Sequence, residues 1–124
     1  MIVDVEDIRA YRNAKKLMVL VHKKIILLLP PEERFGLADH MRRSSKAVCR
    51  DIAEGWACKM SIKELKNCLK QAIREVAEMV ECFKECKELD YLKSETSDWF
   101  IEKYKLVTKQ LTNLRKNWRD FSKD

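Results

Sequence analysis

A chain of 124 residues with 46% hydrophobic and 37% charged side chains fits one domain and can bury a core without staples. Two glycines and two prolines describe long helices with few loops. The most apolar window, Leu17 to Leu29, is interrupted by His22-Lys23-Lys24 and falls short of the roughly 18 apolar residues a membrane span needs.

The net charge is +6 and the pI about 9.1, which leans towards an anionic partner. Asp4, Glu6 and Asp7 precede any apolar run, so the N-terminal stretch does not read as a secretion signal. The expected setting is the cytoplasm. Five cysteines, at positions 49, 58, 68, 82 and 86, include no C-x-x-C pair, and reduced thiols are expected.

The first helix is predicted over about 5–29. Ile8, Tyr11, Met18, Val21, Ile25 and Leu28 form its stripe, with Ala14 small among them. Leu17, Val19, Leu20, Ile26, Leu27 and Leu29 fall outside it, more apolar surface than one bundle core needs. A wide core face with a buried end would account for that, and so would a subunit interface. Pro30-Pro31 ends this helix and starts the second, over 31–57, with Glu32 and Glu33 at its positive end.

Leu37, Met41, Ser44, Val48 and Ile52 recur on one face of helix two. Ser44 is the small member, which would let a neighbouring backbone approach. Gly55 marks where this helix is expected to loosen or stop. Ser61-Ile62-Lys63-Glu64 reads as a capping box opening the third helix, 61–89, whose seam runs Leu65, Leu69, Ala72, Val76, Met79, Phe83 and Cys86. Ser94 or Ser97 is expected to cap the fourth, 94–121, with a seam from Phe100 through Tyr104, Val107, Leu111, Leu114 and Trp118 to Phe121. Four such helices with short connections predict an all-α, up-down-up-down antiparallel four-helix bundle in a single domain.

Met41-Arg42-Arg43-Ser44-Ser45 followed by Ile52-Ala53-Glu54-Gly55 is the least generic text in the chain. With Ile8, Tyr11, Pro31, Glu33, Gly36-Leu37, Ser61, Glu64-Leu65, Ala72, Glu78 and Tyr91-Leu92, it resembles the small bacterial four-helix proteins encoded by intervening sequences of the large-subunit ribosomal RNA gene. These are related to the accessory variability determinant of diversity-generating retroelements. The resemblance implies a subunit that assembles as a ring-shaped homopentamer. For the retroelement branch it implies binding to nucleic acid and to a reverse transcriptase. Arg42, Arg43, Ser44, Ser45, Glu54 and Gly55 are its motif residues here. Where the family commonly has Gly-Ser, two residues after the alanine of helix three, this chain has Arg74 and Glu75.

No reaction is legible. Carboxylate-bridged metal bundles need Glu-x-x-His, which is missing, and Cys68, Cys82 and Cys86 lack a fourth ligand, so neither a metal nor another cofactor is expected. Glu54 lacks a titratable partner at a catalytic spacing and is expected to pair with Arg50 or with another helix. Ser44 and Ser45 have no histidine base. An enzyme with a small-molecule substrate is therefore not expected.

Charge carries the functional reading. Helix one has no acid from Ile8 to Pro31 and carries Arg9, Arg12, Lys15, Lys16, Lys23 and Lys24. Helix four has none from Lys103 to Arg119 and carries Lys103, Lys105, Lys109, Arg115, Lys116 and Arg119. As neighbours in the bundle, the two would form a positive face suited to the phosphates of RNA or DNA, unless each is a solvated face. Replacing Lys105, Lys109 and Lys116 by Glu is expected to abolish such binding. Arg115 and Arg119 lie nearer the seam, where their stems can pack. Glu78, Glu81, Glu85 and Glu88 make an acidic stripe on helix three that could meet a basic face of the next subunit.

Overall fold

The computed structural model describes residues 2–118. Helix α1 covers Arg9–Leu20 and continues through a π-helical turn, Val21–Ile25, and a 3-10 turn, Ile26–Leu28. Helices α2, α3 and α4 cover Leu37–Ala57, Ile62–Glu88 and Ser94–Asn117. Each packs on the next, and α1 closes the ring against α4. Cross-helix bonds fix the antiparallel sense. Asn13 meets Gln110, His22 meets Ser45, His40 meets Glu78, and Lys87 meets Asp98. The protein is an all-α four-helix bundle, and none of its described helices is long and apolar enough to cross a membrane.

The seams of α3 and α4 pack as their spacing requires. Leu65, Leu69, Ala72, Val76, Met79, Phe83 and Cys86 are all buried, as are Phe100, Tyr104, Val107 and Leu111. Phe83 stacks on Phe100 with centroids 4.5 Å apart. The end of α4 departs from expectation. Asn117 is its last residue, and Trp118 turns into extended backbone. Its buried ring meets Trp56 edge to face, 6.1 Å away. Phe121 lies outside the described residues. Neither serine caps α4: Lys93 holds the N-cap position, Ser94 is already helical, and Ser97 is buried in the first turns. Ser61 does cap α3, accepting the Glu64 N–H at 3.3 Å, without a return bond from the Glu64 carboxylate.

Helix α1 corrects the predicted stripe. Leu17 and Leu29 are buried, whereas Met18 is only half-buried and Leu28 is 55% exposed. Leu17 takes its core position within the regular helix, three residues after Ala14, and the π turn accounts for the end of the stripe. The Ile26 N–H reaches back to the Val21 carbonyl, placing an extra residue in that turn. Steps of four then keep one face, so Leu17, Val21, Ile25 and Leu29 line up on the core. The segment before it is not α-helical either. Val5–Asp7 is a 3-10 turn with an Asp4/Asp7 capping box, and Ile8 is extended.

Helix α2 starts at Leu37, not at Pro31. The prolines open a 3-10 turn, Pro31–Glu33, and a further turn intervenes. Glu33 bends back so that its Oε1 accepts the Leu37 N–H at 3.1 Å, and its Oε2 accepts the Tyr91 hydroxyl at 2.9 Å. One carboxylate thus caps α2 and ties the first connection to the third. A Cβ on Gly36 would stand 2.8 Å from that Oε1, so glycine makes room for the cap. Helix α3 ends in a Schellman arrangement, with the Tyr91 N–H on the Cys86 carbonyl and the Asp90 N–H on Lys87. Asp90 takes the left-handed position, φ 58°, that glycine usually fills.

Candidate nucleic-acid interface

The Arg-Arg-Ser-Ser motif divides between inside and outside. Ser44 and Ser45 are buried, Ser44 beside the α2–α3 cleft and Ser45 towards α1. The Ser45 hydroxyl donates to the Arg42 carbonyl at 3.3 Å. With its one proton used there, it accepts from His22 Nε2 at 3.1 Å. Burial, and the positive charges of Lys46 and Arg42, hold the His22 pKa below its usual value, which favours the neutral ring with its proton on Nε2. Arg42 and Arg43 point outward and share Asp39, at 3.6 and 3.0 Å.

Gly55 lies within α2 and does not end it. A Cβ there would meet the Cys68 Cβ at 3.1 Å and the Leu65 carbonyl at 3.4 Å, so glycine sets how closely α3 approaches. Glu54 is exposed and forms no ion pair with Arg50 or any other described residue. Both side chains lie on the solvent face of α2. Arg74 and Glu75 line the cleft between α2 and α3, about 600 Å³, with His40, Arg43, Asp51 and Glu78. All five cysteines are free thiols. Burial pushes the Cys49 thiol up to about 11, and those of Cys82 and Cys86 to about 12, leaving them protonated and unreactive.

The acid-free stretches of α1 and α4 do lie side by side, and Asn13 Nδ2 donates across them to Gln110 Oε1 at 3.0 Å. Lys16 and Lys103 face each other over a groove of about 260 Å³ floored by Leu17, Leu20 and Leu106, with Trp99 on its wall. Arg9 and Arg12 border the next groove along the same seam, with Asn113 opposite. Arg12 also donates to the Glu6 carbonyl at 2.9 Å.

The remaining predicted cations lie elsewhere. Lys23, Lys105, Lys109 and Lys116 are exposed on the outer faces of their helices. Arg115 is half-buried, turns towards α3, and donates from Nε to the Lys66 carbonyl at 3.1 Å. Arg119 lies outside the described residues. A second basic row went unread in the sequence: Arg42, Lys46 and Arg50, spaced by four along the exposed face of α2, with Arg43 beside them. Steps of four in Arg42, Lys46 and Arg50 are the sequence signal for that row.

Among the described residues, no three His, Cys, Asp or Glu side chains converge as metal ligands. What the fold defines is a small antiparallel helical bundle, built around a buried serine pair and a close α2–α3 contact, with cations along two of its outer faces. The profile of the family described as 23S rRNA-intervening sequence protein matches residues 6–113, and the chain belongs to that family. No curated protein matches it significantly.

Proposed function

We propose that the chain is a basic, self-associating scaffold that binds RNA or DNA through phosphates and serves as an accessory factor to a retroelement reverse transcriptase. One observation carries the binding half of this reading: Lys16 and Lys103 line one groove of the α1–α4 seam and Arg9 the next, all three without an ion-pair partner among the described residues. Ammonium and guanidinium groups in that state attract a polyanion and release its counterions. The reverse-transcriptase partner rests on the family resemblance alone. On this reading the bundle performs no reaction, needs no cofactor and takes no small-molecule substrate.

A second reading, a protein-interaction bundle without nucleic-acid binding, draws on the apolar side chains left exposed near the α1–α2 connection, Leu27, Leu28 and Phe35. Charge reversal separates the two. Changing Arg9, Lys16 and Lys103 to Glu should lower affinity for RNA and DNA at least tenfold at low salt, with unchanged helical circular dichroism. Changing Lys105, Lys109 and Lys116, which lie off the seam, should lower it less. If neither triple change moves affinity, or the wild-type chain binds no nucleic acid at low salt, the interaction-bundle reading stands instead.

A further inference from the structure

Trp99 is the exposed aromatic ring of the α1–α4 seam. It is 44% exposed, yet it is anchored. It stands edge to face on Phe100 with centroids 4.9 Å apart, and Phe100 is itself stacked on Phe83. The Lys103 ammonium lies 5.6 Å from the centre of the Trp99 ring. Open grooves flank the ring on both sides. One is the Lys16–Lys103 groove; the other, about 470 Å³, is bordered by Leu20, Lys24, Glu95 and Thr96.

Charge narrows what such a site accepts. Lys16, Lys24 and Lys103 surround the ring without ion-pair partners among the described residues, and Glu95 is the one carboxylate bordering the two grooves. Asp98, next in sequence to the ring, is held by Lys87 at 2.8 Å. An apolar helix laid here would desolvate three ammonium groups with little to neutralise them. A double helix could meet the charges but offers no free base face. A single strand supplies both an unstacked base and phosphates beside it. From Trp99 the seam runs on past Lys103, Lys16 and the Asn13–Gln110 bridge to Arg9. That is about 20 Å of helix at 1.5 Å per residue, room for a short run of nucleotides.

We propose that this seam is a single-strand site, in which one base stacks on Trp99 while Lys16, Lys24 and Lys103 hold the adjacent phosphates. The inference rests on the nucleic-acid reading above and adds the form of the ligand and the residue that selects it. The test uses the full chain and fluorescein-labelled oligomers of about a dozen nucleotides: single-stranded dT, single-stranded rU, a duplex, and an abasic strand of the same charge. The two single strands should bind at least tenfold more tightly than the abasic strand. Trp99→Ala should lose about tenfold on dT and rU with little change on the duplex, and Trp99→Phe should keep most of the affinity. Quenching of tryptophan emission by unlabelled dT, lost in Trp99→Phe, reads the unaltered ring directly.

Three results overturn the inference, and they differ in what else falls. If Trp99→Ala binds dT as the wild type does while the Arg9/Lys16/Lys103 reversal weakens it, the ring is idle and only the phosphate reading survives. If Trp99→Ala lowers the mass of the assembly in solution, the seam is a contact between copies. If no oligomer binds the wild-type chain, both readings fall together.

Discussion

Asp51 shows how one side chain can set a pH response. It lies on α2 at the α2–α3 cleft, which His40, Arg43, Arg74, Glu75 and Glu78 also line, with Glu54 one turn along. Burial raises its pKa from 3.8 to about 6, and repulsion from Glu75 and Glu54 adds to the shift. Between those values the folded chain holds a proton that the unfolded chain has released. The Asp51 contribution to stability therefore falls as pH rises through that window, and stays low above it. His22 works the other way, since its lowered pKa removes stability as pH drops below 6.5. Asp51→Asn keeps His22, so the difference between the two proteins isolates the carboxylate. The variant should be more stable than wild type near pH 7.5, with the gain vanishing near pH 4, measured by urea unfolding. A gain equal at both pH values would assign the effect to packing.

At the scale of elements, the contact at Gly55 fixes how α2 lies on α3. A longer side chain must push against the Cys68 Cβ at 3.1 Å and the Leu65 carbonyl at 3.4 Å, neither of which is the free end of a flexible chain. Gly55→Leu should cost roughly 1–3 kcal/mol, the usual range for overpacking, in a urea unfolding curve. Gly55→Ala should cost far less, because better helix propensity, about 1 kcal/mol, opposes the crowding. A Leu variant as stable as wild type would mean that α3 shifts freely. The seams of α3 and α4 could be read directly because alternating steps of three and four leave one face. The far end of α1 is not legible from a uniform α-helical period, because the π turn changes the period there and brings Leu29, not Leu28, to the core. The start of α2 is not legible because its cap comes from the Glu33 carboxylate reaching over a turn; α4 begins at Ser94, as expected, but with Lys93 and no side-chain bond at its N-cap. Adjacency of the two acid-free stretches followed from topology. Which of their cations share the seam depended on facing: Lys103 and Lys105 are two residues apart, and only Lys103 lines the groove opposite Lys16.

For the whole molecule, the question is where copies of the chain would meet. Leu27 is 68% exposed, Leu28 55% and Phe35 86%, and all three flank the connection between α1 and α2. Arg34 lies over the Phe35 ring at 5.2 Å, which covers one face of it at most. Exposed apolar side chains near one connection are where the proposed self-association would place its contact. The acidic stripe is a weaker candidate: Glu81 already has Lys84 at 3.3 Å, and exposed ion pairs contribute only about 0–1 kcal/mol each. Association should therefore be driven by the apolar cluster, with the stripe setting register. Light scattering at micromolar concentration should report a mass several times 14.7 kDa, and a single 14.7 kDa species would end the self-association reading. Changing Leu27, Leu28 and Phe35 to Glu together should bring the mass down to one subunit while leaving the helical signal intact, because these side chains contribute little to the subunit's own core. High salt should not do the same, since it screens ion pairs and strengthens apolar contact. Dissociation by salt, with the triple variant still assembled, would move the interface from the α1–α2 connection to the charged faces.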